Sequence, residues 1–137
     1  MSDPPPDEHT EAERWLREAR EELLVAQRIA DDPELPKRSA CLHAHLAAEK
    51  ALKALLIRRG QAPQPIHDLR QLARELPEPD SRRLAADDLD QVNPWSILGR
   101  YPADATGVSD ESARAVLQAV RRIVTAVEQG FGPPGVR

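Results

Sequence analysis

Side chains capable of acid–base and anion chemistry crowd into one stretch of this sequence, from Lys37 to Gly60. Helical spacing, at about 100° per residue, puts Arg38, His45 and Glu49 inside a ~40° arc. Leu42, Leu52 and Leu56 share that side. His45 and Glu49 stand one turn apart, within hydrogen-bonding reach. A carboxylate on an apolar face needs a donor, because burying it unpaired costs several kcal/mol. His45, Arg38 or a residue across an interface could supply one. The set reads either as a buried polar pair fixing helix register or as a polar cleft that meets a ligand.

Three further groups carry chemistry. Lys50 and Lys53 lie within about 80° of His43, on the side that holds Ile57. They serve either as solubilising charges or as a strip facing phosphates. His67-Asp68 precedes a leucine-periodic stretch, so either residue can cap a short helix, and His67 can instead point into a site. Arg100-Tyr101-Pro102 joins a cation, a stacking ring and a rigid turn, which suits an anion or base contact and equally a loop anchor. Missing motifs narrow the field: there is no Gly-rich phosphate loop, no His-Glu-x-x-His and no Gly-x-Ser-x-Gly. No carboxylate-rich metal box occurs, and the single cysteine, Cys41, excludes a disulfide framework and a cysteine-based zinc site. No metal and no cofactor are therefore expected. Three lysines and four aromatic residues make sequence-specific DNA reading improbable.

The elements that must position these residues are helices. Alanine (20) and leucine (16) outnumber valine and isoleucine (8 and 5) over 137 residues, which disfavours a β protein and suits one domain. Residues 1–9 read as a disordered, Pro-rich, acidic leader, the reverse of a targeting peptide. Thr10-Glu11-Ala12-Glu13 reads as a capping box opening a first helix, and Asp31-Asp32-Pro33 and Pro36 end it. A second helix follows from Lys37 to Arg59, stopped by Gly60. It is apolar over most of its circumference and so belongs at the centre, among several neighbours or against a second subunit. A brief helix over Ile66–Leu76, another opened by Asp80 and running through Val92, and a loop from Trp95 to Val108 come next. A last helix starts at Ser109 with Gly130 as its C-cap, and residues 131–137 read as a flexible tail. The expected fold is all-α, an up-and-down four-helix bundle with one or two short extra helices, spanning residues 10–130. No run is apolar enough to span a bilayer, so no membrane contact and a cytoplasmic location are expected.

The net charge of −4 averages over a strong pattern. Residues 37–74 carry eight basic side chains against two acidic ones, whereas residues 1–36 carry eleven acids against four bases. Either the basic segment packs on acidic neighbours of the same chain, or it meets an anionic ligand or partner.

The stretch Leu42-His43-Ala44-His45-Leu46-Ala47-Ala48-Glu49-Lys50-Ala51-Leu52-Lys53 resembles the central helix of the HEPN family, the higher eukaryote and prokaryote nucleotide-binding domains. Ile66-His67-Asp68-Leu69, Arg100-Tyr101-Pro102 and the helix from Glu111 to Val127 follow in the family's order. The resemblance spans residues 10–130. It implies a helical bundle that is frequently a homodimer and often encoded beside a small nucleotidyltransferase in prokaryotic toxin–antitoxin pairs. The family's two glutamines after His-Ala are replaced by His45 and Leu46. Many members are metal-independent ribonucleases with an Arg, four to six residues, then His, usually in a later helix, yet this chain has no histidine after His67. Arg38 meets that spacing with His43 or His45, and only His45 shares its side of the helix.

Three functions follow. In the first, a non-catalytic module dimerises through the second and last helices and binds a nucleotide or a nucleotidyltransferase. Its contact residues would be drawn from Arg38, His45, Glu49, Lys50, Lys53, His67, Arg100 and Tyr101. In the second, a ribonuclease toxin uses His45 as general base and Arg38 to stabilise charge at phosphorus. The third is a structural interaction subunit without a ligand.

Overall fold

The structure is a computed structural model that describes residues 8–98 and 107–132. Among these residues it is helical, without strands: α1 (Glu8–Asp31), α2 (Lys37–Arg58), α3 (Leu69–Arg74), α4 (Ala86–Val92), α5 (Trp95–Leu98) and α6 (Asp110–Phe131), with a 3-10 turn at Ser81–Arg83. The expected all-α bundle is what forms. Its first partnership is the α1–α2 hairpin. Ala12, Leu16, Ala19 and Ala26 of α1 are buried at spacings of three, four and seven, with Leu23 and Ala30 packed beside them. The facing seam of α2 is Ala40, Ala44, Ala47, Ala51 and Ala54, all fully buried. Alanines repeating at four and three residues let two helix backbones approach closely along their whole length.

Helix α2 is the axis of the molecule. Thirteen of its 22 residues are buried, on nearly every side. Its remaining neighbours are α6, α3, α4 and α5, so most of its apolar circumference is used within one copy of the chain. Each buried leucine of its lower half (Leu52, Leu55, Leu56) contributes about 1.5–3 kcal/mol of transfer free energy. Helix α6 brings Ala113, Val116, Leu117, Val120, Ile123, Val124 and Val127 to the same core.

Contacts at the helix ends set the directions. Lys37 at the start of α2 lies 3.8 Å from Asp110 at the start of α6. Arg58 and Arg59 at the other end donate to the carbonyls of Phe131 and Gly130, at 2.9 and 2.6 Å. So α2 and α6 run parallel, and α1 runs against both, with Arg20 donating to Glu128 at 2.9 Å. The return between the parallel pair is a zigzag. From Gly60 the chain reaches the middle of α2 at His67, goes back to its end at Asp80, then passes along α6 through α4. Prolines 77, 79 and 94 keep this return in short pieces rather than one long helix.

Several boundaries differ from those the sequence predicts. α1 starts at Glu8, so Thr10 is inside the helix rather than capping it, and residues 8 and 9 of the expected leader are helical. Asp80 caps nothing: its backbone is αR and its carboxylate faces the arginines described below. Trp95–Leu98 forms a helical turn inside the expected loop. α6 continues to Phe131, and Gly132, at φ 83°, ends it in place of Gly130. Ser109 caps α6 as expected, accepting from the Ser112 amide at 3.0 Å. Residues 1–7, 99–106 and 133–137, with most of the leader and tail and the Arg100-Tyr101-Pro102 segment, lie outside the described residues.

Candidate functional site

One exposed imidazole is held in place by two consecutive turns of α2. His45, 1% exposed, turns its Nε2 to the carbonyl oxygen of His67 at 3.1 Å. A carbonyl only accepts, so Nε2 carries the proton. One turn later Glu49, 6% exposed, places Oε1 2.8 Å from Nδ1 of His67. Its other oxygen accepts from Lys53 Nζ at 3.0 Å, and Lys53 is itself buried. Glu49 Oε1 also lies 3.8 Å from His45 Nδ1. The buried carboxylate thus faces a lysine on one side and two imidazoles on the other.

The consequence is a two-point clamp: His45 fixes the backbone of residue 67 and Glu49 fixes its ring. An ionised carboxylate is an acceptor only, so Nδ1 of His67 donates and Nε2 is left as the free nitrogen. The His67 side chain is 53% exposed. Its neighbour Asp68 caps α3, accepting from the amides of Arg70 and Gln71 at 3.0 and 3.3 Å. Asn93, just past α4, donates to Asp68 at 3.1 Å and accepts from the Leu69 amide at 2.9 Å. The Asn93 contact, more than any other, holds the Asp68 carboxyl below the usual aspartate range, helped by the two capping amides and by Arg74. His67, Asp68, Asp90, Asn93, Pro94, Ser96 and Ile97 line a surface groove of about 520 Å³, so the clamped imidazole stands on its wall.

The structure distributes the sequence-predicted residues unevenly. It joins His45, Glu49, Lys53 and His67 in one cluster. Lys50 leaves the strip expected for it with Lys53 and pairs with Glu22 and Glu18 of α1, at 3.2 and 3.8 Å. His43 reaches the same Glu22 at 3.0 Å. Arg38 is half-buried on the first turn of α2 and forms no ion pair among the described residues. His45 lies seven positions further on, about 10 Å along the axis, so the two share a side of α2 without forming a unit. Arg100 and Tyr101 lie outside the described residues. The basic segment is largely answered inside the chain, with Arg59 on Asp80, Arg70 near Asp90 and Lys50 on α1.

Two buried carboxylates escape the sequence reading. Asp80 accepts from Arg59 Nε at 2.6 Å and Nη2 at 3.0 Å, and from Arg83 at 3.1 Å. Asp88 takes both the Nε and Nη2 of Arg122, whose guanidinium it holds more firmly protonated than usual. Arg83 is a local partner of Asp80, but Arg59 and Arg122 lie 21 and 34 residues from their carboxylates, beyond any helical spacing rule. Cys41 is buried and its thiol is pushed up to about 11 by that burial, which removes it from nucleophilic chemistry. Among the described residues no group of three or more His, Cys, Asp or Glu side chains is placed to hold a metal. No helix among them is long and apolar enough to cross a membrane.

A parallel α2–α6 pair braced by α1, with a clamped histidine on the connecting segment, defines a small helical-bundle module. The HEPN domain model matches residues 12–130, and the chain belongs to that family. Among solved structures, the crystal structure of TT1696 from Thermus thermophilus is similar at 29% identity and a TM-score of 0.76. The similarity covers 87% of this chain and 97% of that one. Comparison with curated proteins finds no match.

Proposed function

We propose that this chain is a nucleotide-binding HEPN module in which His67 is the residue that meets the ligand. It acts as a homodimer through the α2 and α6 surfaces, with a small nucleotidyltransferase as partner in a prokaryotic toxin–antitoxin pair. One observation carries the reading: a buried Glu49–Lys53 pair and a buried His45 are arranged around one exposed imidazole. Buried ion pairs contribute little net stability compared with apolar residues of the same volume, so their yield here is the fixed orientation of that ring. The free Nε2 accepts from a ribose hydroxyl or a base N–H and, when the ring is protonated, donates to a phosphate oxygen. Arg38, and Arg100 and Tyr101 from the segment after α5, are the further contacts this reading assigns.

Titration of fluorescent ATP into the pure protein tests it. His67→Ala weakens binding at least tenfold, whereas Lys50→Glu leaves affinity unchanged and costs only the α1 contact. Equal affinity for His67→Ala and the parent removes the assignment. Light scattering that finds a strict monomer at micromolar concentration removes the dimer, and a neighbouring reading frame encoding no nucleotidyltransferase removes that partner.

A second reading, a metal-independent ribonuclease, is favoured by the same dyad. A carboxylate that fixes the tautomer and direction of an exposed imidazole is the arrangement of a general base. On this reading His67 takes the proton of the RNA 2′-hydroxyl, because the buried His45, with Nε2 engaged by a carbonyl, cannot meet a substrate. RNA incubated in EDTA is then cut by the parent and not by His67→Ala. Intact RNA at high protein concentration eliminates it.

A further inference from the structure

A second groove, on the opposite side of α3 from the capping Asp68, has a different character. It holds about 210 Å³ and is lined by Arg70, Ala73, Arg74, Ser81, Leu84, Ala86 and Leu89. Ala73 and Leu89 are buried and Leu84 is half-buried, so the floor is apolar. Arg70 and Arg74 stand one turn apart on the same side of α3 and form its rim. Both walls are fixed. Asp68 and Asn93 hold α3, and the buried Asp80, gripped by Arg59 and Arg83, holds the turn that carries Ser81.

We propose that this groove binds a small organic carboxylate whose apolar body rests on Ala73, Leu84, Ala86 and Leu89 and whose head is received by Arg70 and Arg74. The charge count selects the head group. Arg82 and Arg83 are engaged elsewhere, by Glu78 at 2.8 Å and by Asp80. Arg70 already shares its charge with Asp90 at 3.5 Å, across two exposed side chains. Arg74 is exposed, forms no ion pair within 4 Å among the described residues, and acts on Asp68 only at longer range, as the weakest of that carboxyl's influences. The site therefore offers close to one net positive charge, which matches a monoanion better than a phosphate dianion, and a guanidinium fork fits a carboxylate in the plane. The volume lies below the ~300 Å³ at which drug-sized pockets begin, so the body is the size of one apolar side chain or one aromatic ring. Two sources share that chemistry, a free aromatic or aliphatic acid and the C-terminal carboxylate of a peptide ending in an apolar residue. The inference is independent of the role given to His67.

Amide NMR titration of the full chain with sodium benzoate tests it. Saturable shifts at Arg70, Ala73, Arg74, Leu84 and Leu89 are expected, with none from neutral benzamide. Arg74→Glu weakens binding at least tenfold and Arg74→Gln by less, while the rest of the spectrum certifies the fold. His67→Ala leaves benzoate binding unchanged. Tighter binding of N-acetyl-leucine than of benzoate at the same amides assigns the peptide terminus, and the reverse order assigns the free acid. The proposal is overturned by an absence of saturable shifts in the millimolar range, by equal binding of benzamide, by equal affinity of Arg74→Glu, or by inorganic phosphate binding more tightly than benzoate at these residues.

Discussion

Glu49 and Asp80 are both carboxylates buried against α2, and they are put to opposite uses. Asp80 is 2% exposed and surrounded by Arg59 and Arg83, with Arg59 also donating to Gly130. Its partners close over it, joining the end of α2, the turn after Pro79 and the end of α6. Glu49 is buried to nearly the same degree, yet one of its partners, His67, is a side chain half in solvent. A buried charge with guanidinium partners on every side is a rivet. One that accepts a hydrogen bond from a surface ring is a mount, and a mount implies something to be presented.

Variants at the two carboxylates put this contrast at risk. The largest effect is expected from Asp80→Ala, which strands Arg59 and should destabilise the fold by about 3–5 kcal/mol in urea unfolding. At Glu49 the two properties should separate. Glu49→Leu combined with Lys53→Met replaces an ion pair by apolar bulk and should leave stability unchanged or raised by about 1–4 kcal/mol, while nucleotide affinity falls as His67 loses its mount. Parallel loss of stability and binding in that double variant would make Glu49 a second rivet. Gly130→Ala probes the Asp80 side more gently. A Cβ there would sit 2.9 Å from Asp80 Oδ1 and 3.0 Å from Leu55 Cδ1, so about 1–3 kcal/mol is expected. The smallest effect belongs to Asp68, where loss of the α3 cap in Asp68→Ala should cost about 1 kcal/mol. Its carboxyl titrates lower in the folded chain than in the unfolded one, so the folded state binds fewer protons. The stabilisation is complete above the ordinary aspartate pKa and is lost as pH falls through the lowered folded value. Asp68→Asn should flatten that part of the acid unfolding curve.

The two regions also differ in how much their residues disclose in advance. The continuity of Lys37–Arg58 and the meeting of His45 with Glu49 follow from 100° steps along one helix, which require no knowledge of neighbours. The clamp on His67 is half visible: a carboxylate on an apolar face demands a donor, but the imidazole that arrives bends back across the turn after Gly60. Lys50 and Lys53 differ by only about 60° around α2, yet that rotation sends one to the acidic α1 and the other to Glu49. The acidic first helix and basic second segment announce this complementarity through composition, without its pairs. Asp80 followed by Ser81 has the local form of a helix start, and only the tertiary position of Arg59 turns it inward. Thr10 likewise fits a capping box, but the helix begins two residues earlier. Local rules fail where a long-range charge or packing contact outweighs about one kcal/mol of capping.

The ends of α2 and α6 also set a timetable. Arg58 and Arg59 find their carbonyl acceptors on Phe131 and Gly130, more than seventy residues downstream. On the ribosome the α1–α2 hairpin can therefore zip early through its alanine seam, while its cationic tip waits. Arg59 can meet Asp80 sooner, but only when the last turn of α6 has been made does the tip acquire these two carbonyl acceptors, so a nascent chain arrested before that turn would carry a formed hairpin with a half-latched end.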